Sequence, residues 1–269
     1  MAVDLTARET EVIRILDVLH SSFNKFVVIG GYAVSALGTH RFSVDCDVVI
    51  SEKDLPGLEK ILEREGYRKT KVSNVGTHGS KTAKYSKLIG GRRVSVDIGI
   101  NSIVCRNTEG EWSYELLSKN STEMNIVGVT GSTTALVPRK ELLIAMKLHP
   151  ARDTDLRDVV ILRDDVDWRA VAEFTDTGIT RKVVAQLDSA IERIASKMFP
   201  SALKAEFGLR VDVTSAIEET IKELKMVREI LTDKKTLASI KKSLNDIKAD
   251  RYKDYRSVKQ FKTEFESRT

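Results

Sequence analysis

Cysteine is scarce in this chain: Cys46 and Cys105 are the two among 269 residues. Neither has a neighbour at metal-ligand spacing, which argues against a zinc site and points to a reducing, cytoplasmic setting. No apolar run approaches the ~20 residues of a membrane-spanning helix, so no membrane contact is expected. The opening MAVDLTARET lacks the basic-then-apolar form of a secretory signal. Proline and glycine never gather into a linker, and no short repeat is visible. No glycine triplet of the dinucleotide-binding kind follows a strand, and there is no Walker-type lysine, so two common nucleotide folds are excluded. Excess charge of one sign is modest at +5, and its placement matters more than its size. From Lys234 to Lys262 ten Lys or Arg face three Asp, so the basic excess lies towards the C-terminus.

The hydrophobic fraction, 41%, suffices for a folded core, and the length suits one large domain or two ordinary ones. The pattern predicts an α/β (α+β) fold. An N-terminal mixed sheet flanked by helices, residues 1–135, precedes an all-helical region, 136–269. Thr6-Ala7-Arg8-Glu9 reads as a capping box opening the first helix. A strand over 26–29 runs into Gly30-Gly31 and a short helix. Helix is predicted over 54–65 and strand over 67–72. Gly90-Gly91 joins two strands, 82–89 and 92–100, as a hairpin. A further strand is expected over 124–129. From Pro138, taken as a first-turn proline, the chain reads as helix. Helices follow over 153–162 and from 167. Beyond Thr180 the chain is almost wholly helical, with apolar stripes such as Ile217, Ile221, Leu224 and Leu231.

Alternation carries the chemistry. In Ser43 to Val48, Asp45 and Asp47 share one strand face while Cys46 and Val48 share the other. In Arg92 to Ile100, Asp97 lies on the polar face, opposite Val94, Val96, Ile98 and Ile100. Carboxylates set side by side repel, and a divalent cation between them relieves that cost. Gly30-Gly31 at a strand-to-helix turn lets a phosphate approach the backbone near a helix N-terminus. Each part alone is weak, because an Asp-x-Asp is usually a solvated face and glycine pairs are common in turns. Together they form a constellation, with thirteen residues separating Gly31 from Asp45.

That constellation resembles the polymerase β-type nucleotidyltransferases, whose signature is an apolar residue, Gly-Gly or Gly-Ser, a spacer, Asp-apolar-Asp and a later strand Asp. Here these are Ile29-Gly30-Gly31, Asp45-Cys46-Asp47 and Asp97. GGYAVSALGTHRFSVDCD looks most like the abortive-infection toxin-type (AbiEii-like) branch, with Arg41 and Ser43 just before the acidic pair. The resemblance covers roughly residues 25–160. It implies an enzyme that moves a nucleoside monophosphate from a nucleoside triphosphate to a hydroxyl on RNA or tRNA, a protein or a small molecule. Asp45, Asp47 and Asp97 would bind Mg²⁺ (or Mn²⁺) and act catalytically. Gly30, Gly31, Arg41, Ser43, Lys147 and Asp158 would contact the nucleotide, with Asp155 an alternative to Asp158 as the pocket acid. A toxin or defence role and an antitoxin partner would follow. The alternative is a non-catalytic nucleotide-binding or RNA-binding regulatory protein. Lys69, Lys71, Lys81, Lys84, Lys87, Arg92 and Arg93 around the hairpin read either as solvated strand positions or as a nucleic-acid path. Tyr252, Tyr255, Phe261 and Phe265 read as packing residues.

Overall fold

The computed structural model describes residues 2–22, 26–38, 43, 45–74, 80–196 and 213–249. Arg41, Tyr252, Tyr255, Phe261 and Phe265 lie outside them. The chain forms β1 (Val27–Ile29), β2 (Asp45–Ile50), a polar edge strand β3 (Arg68–Asn74), β4 (Lys81–Ile89) and β5 (Arg92–Ile100). With β8 (Ser121–Val127) and β9 (Ser132–Pro138) they make a seven-stranded sheet in the order β3-β4-β5-β2-β1-β9-β8. The sheet is mixed: β2 runs parallel to β5 and β1 parallel to β9, while the other neighbours are antiparallel. A separate hairpin, β6 (Ser102–Cys105) with β7 (Gly110–Ser113), leaves the end of β5.

The helices are α1 (Ala2–Ser22), α2 (Gly30–Leu37), α3 (Leu55–Arg64), α4 (Tyr114–Lys119), α5 (Lys140–Leu148), α6 (Asp153–Leu162), α7 (Trp168–Thr175), α8 (Thr180–Ala195), α9 (Val213–Thr232) and α10 (Lys234–Lys248). After α5 the described chain is helical, as predicted. Cys46, Val48 and Ile50 of β2 and Val94, Val96, Ile98 and Ile100 of β5 enter the main core, which extends from Val12 to Leu237. The opposite face was expected to be solvated. It is instead covered at one end, where Val27, Ile29 and Val49 pack with Trp112, Leu117, Leu142, Ala145 and Phe174. The aspartate end of that face stays open beside this cover, and this makes a cleft of what would otherwise be a surface.

Two expectations are corrected, and one strand is added. Helix α1 does not start at Thr6. Glu9 turns away from a capping box, is buried, and accepts a bond from the Val129 amide at 2.9 Å. Pro138 closes a strand and does not open a helix: Ser121 pairs with it, and α5 begins at Lys140. Strand β9, which the sequence did not announce, lies between β1 and β8 with Thr133, Ala135 and Val137 buried.

One buried contact fastens the β6–β7 hairpin to the helices. The His149 ring is fully buried, with Thr108 Oγ1 2.6 Å from Nδ1 and the Thr175 carbonyl 3.1 Å from Nε2. It meets Trp112 edge-on at 4.6 Å between centroids, and Trp112 Nε1 donates to the Phe174 carbonyl at 3.0 Å. Burial pulls the imidazole down to about 4, with the Thr175 bond working the other way. The ring is therefore neutral, so Nε2–H donates to Thr175 and the Thr108 hydroxyl donates to Nδ1. A base depressed on folding favours the unfolded, protonated chain as pH falls. Stability is whole above the usual 6.5 and declines down to about 4, by up to about 3 kcal/mol. Urea unfolding at pH 7.5 and pH 5 should show this loss in the native sequence, and His149→Gln should flatten it.

Candidate active site

Register brings the sequence-predicted carboxylates together. Parallel pairing of β2 and β5 sets Asp45 against Ser95 and Asp47 directly against Asp97. Asp47 is partly exposed and seated among protein atoms. Desolvation, then the Asp97 carboxylate, push its carboxyl up to about 7, against the pull of Lys147 and Lys84. Asp45 stands at the exposed end of the strand and accepts the Ser95 hydroxyl. Asp97 is held by Lys84 of β4 at 2.9 Å. Cys46, between the two aspartates, points into the core, where burial pushes its thiol well up and leaves it unreactive.

Gly30 fits the site closely. It has φ +67°, the left-handed region, and a Cβ there would collide with the Asp47 carboxylate, with Cγ at 2.9 Å. Asp47 thus lies against the start of α2, whose N-terminal dipole favours a negative charge. Gly31 is buried one residue further on. Ser43 faces elsewhere: its hydroxyl donates to the Asp45 carbonyl at 3.1 Å and its own carbonyl accepts Tyr32 Oη at 2.6 Å.

Lys147 lines the cleft, but its ammonium is already engaged, 3.2 Å from Asp155 and 2.8 Å from Asp158. Asp158 is fully buried behind it. Asp155 faces the cleft and also takes Arg152 Nε at 2.6 Å and the Arg152 amide at 3.1 Å. Burial works to raise the Asp155 carboxyl, but Arg152 and Lys147 outweigh it and hold it below the usual range. Of the two acids the sequence left open, Asp155 is the one that lines the cleft.

Two cavities meet at Asp47. One, of about 380 Å³, is bounded by Gly30, Trp112, Lys147, Arg152 and Asp155. The other, of about 310 Å³, lies over Lys84 and Asp97. Ile29, Asp47, Ile103 and Arg106 border both. Sequence reasoning missed Arg106 and Arg152. The signal for Arg106 was the hairpin itself, two short runs around Asn107-Thr108-Glu109-Gly110.

An all-oxygen carboxylate set suits a hard divalent cation, and such a cation relieves the repulsion that, after burial, raises Asp47. In donor chemistry these residues fit one. Among the described residues, however, no group of three or more His, Cys, Asp or Glu side chains is gathered closely enough to hold a metal ion. Lys84 occupies Asp97 and Ser95 occupies Asp45.

No protein-family model and no curated protein sequence matches the chain. Among solved structures it is similar to JHP933 from Helicobacter pylori (16% identity, 89% of this chain and 96% of that one, TM-score 0.39). It is similar to a candidate nucleotidyltransferase from H. pylori (15%, 87% and 97%, 0.41). It is also similar to ANT(2'')-Ia in complex with adenylyl-2''-tobramycin (18%, 76% and 100%, 0.38). All three likenesses fall below a TM-score of 0.5, and the site's own residues carry the functional reading.

Gly30→Ala should cost about 1–3 kcal/mol, the range of strained non-glycine backbone, in denaturant titration. An acid raised on folding stabilises the native state below its unfolded value near 3.8, and that contribution is lost as pH rises through about 7. Asp47→Asn should therefore match the native chain near pH 4 and exceed it in stability at pH 8 in metal-free buffer. Parallel curves for the two proteins would refute the raised carboxyl described for Asp47.

Proposed function

We propose that the chain is a nucleotidyltransferase, moving a nucleoside monophosphate from a nucleoside triphosphate to a hydroxyl acceptor with release of pyrophosphate. The observation that carries this is the Asp47–Asp97 pair, set in register on adjacent parallel strands where two clefts meet. The larger cleft suits the triphosphate. Gly30 opens the backbone there, and Arg152 and Arg106 bring positive charge. The smaller cleft suits the acceptor. Its hydroxyl oxygen attacks the α-phosphorus, the bond to the β-phosphate oxygen breaks, and Asp97 takes the hydroxyl proton. Asp45, Asp47 and Asp97 are the residues that would hold Mg²⁺ or Mn²⁺, which when bound supplies charge to the phosphate oxygens and lowers the pKa of a ligated hydroxyl. Lys84 must then leave Asp97 for the base to be free.

Lys147 acts indirectly in this reading. Its ammonium offsets part of the charge on Asp47 and fixes Asp155 at the cleft wall. The toxin-type resemblance, carried by Arg41 and Ser43, makes an RNA acceptor and an antitoxin partner the first to try. One observation favours a non-catalytic nucleotide-binding role: the Lys84–Asp97 ion pair blocks the base. With Mg²⁺ or Mn²⁺ and each α-labelled triphosphate, the native protein should transfer label to cellular RNA or protein and release pyrophosphate. Asp47→Asn and Asp97→Asn should each lower the rate at least about 100-fold, as loss of a base or charge stabiliser does. Stoichiometric triphosphate binding without pyrophosphate release would leave the binding role standing instead.

A further inference from the structure

The β3–β4 ladder has one irregularity. Arg68 and Lys69 pair with Ser86 and Tyr85, Lys71 pairs with Lys84, and Thr70 is the extra residue between. In an unbroken strand Lys69 and Lys71 would share a face. The bulge separates them. Lys69 stays with Tyr85, 5.6 Å from its ring centroid, and pairs with Glu59 of α3 at 2.6 Å. Lys71 is turned to the face of Lys84, and both line the smaller cleft. Bulges of this kind re-aim a side chain beside a site.

The register continues across the sheet. Lys71 stands opposite Lys84, Lys84 opposite Asp97, and Asp97 opposite Asp47. Two cations and then two anions form one row on one face, like charge beside like, an arrangement that is destabilising unless something is held there. Lys84 is engaged by Asp97, whereas Lys71 and Arg106 have no ion-pair partner among the described residues. The other lysines of the β3–β5 region differ: Lys69, Lys81 and Lys87 meet Glu59, Glu52 and Glu11. Among the lysines of β3–β5, Lys71 is thus the one without an ion-pair partner among the described residues, and with Arg106 it borders the cleft beside Asp97.

We infer that this cleft is an anion subsite in which Lys71, with Lys84 and Arg106, holds a phosphate carried on the acceptor molecule itself. The inference rests on the nucleotidyl-transfer reading and names its acceptor class: a hydroxyl with a phosphate ester close by. Strands lie about 4.8 Å apart, so the backbone positions of Lys84 and Lys71 lie about 5 and 10 Å from that of Asp97, a spacing on the scale of a hydroxyl and a phosphate of one nucleotide or sugar phosphate. An anion there also draws Lys84 off Asp97, so acceptor binding frees the base. The chemistry is common to an RNA end and to a small sugar phosphate.

The test is equilibrium binding by calorimetry with no triphosphate present, using ribose 5-phosphate, ribose and a short single-stranded RNA. At least one phosphate probe should bind the native protein more tightly than ribose. Lys71→Gln should weaken that binding at least about ten-fold, the loss of one charge-assisted bond. Lys71→Arg should restore it, and Lys69→Gln on the other face should leave it unchanged. RNA binding without ribose 5-phosphate binding identifies a polymer end as the acceptor. Binding of both shows that one sugar phosphate suffices. Equal binding of all three probes, or indifference to Lys71→Gln, overturns the subsite. Because no turnover is read, phosphate-selective binding with no pyrophosphate release would sink the transfer reading and spare the subsite.

Discussion

Two carboxylates one strand spacing apart are an arrangement that folding must force. Nothing favours Asp47 beside Asp97 except the apolar residues that alternate with them, which lock β2 and β5 in register through the core. A slip of β2 by one residue against β5 would turn Asp47 into the core and expose Val48, so the core holds the repulsion in place. The surroundings then moderate it. Lys84 lies on one side, Lys147 acts from behind, and the start of α2 faces Asp47. Destabilising local charge set on a rigid scaffold is a common mark of a functional site.

Those acids were legible because strand periodicity is local: residues two apart share a face whatever the rest of the chain does. That Asp97 meets Asp47 came from the family resemblance and not from periodicity, since register is a property of two strands and a sequence displays one at a time. Strand β9 was missed for a related reason. Its residues, Ser132 to Pro138, are small and mixed, and their strand character comes from lying between β1 and β8. The bulge at Thr70 is likewise a mismatch between two strands, and it reversed the face that alternation assigns to Lys71.

Lys147 shows how a residue can escape the alternatives a sequence offers. A lysine in an apolar helix reads as a snorkelling cation or as a ligand hand. Here it lies between Asp155 and Asp158, tying α5 to α6 across their turn. Buried ion pairs add little net stability but are costly to break, so they fix orientation more than they strengthen. The orientation fixed is that of Asp155 and Arg152 at the cleft wall. The helical region thereby sets one wall of a cleft whose floor belongs to the sheet.

The position of β9 also shapes how the chain is made. Strand β1 leaves the ribosome about a hundred residues before its parallel neighbour is translated. During that interval one edge of a very apolar strand has no native partner, and open edges invite pairing with other chains. Helix α1 packs against β9, so it too waits for that segment. The sheet closes late, around a strand made earlier, and a nascent chain halted before Ser132 carries that apolar edge unpaired.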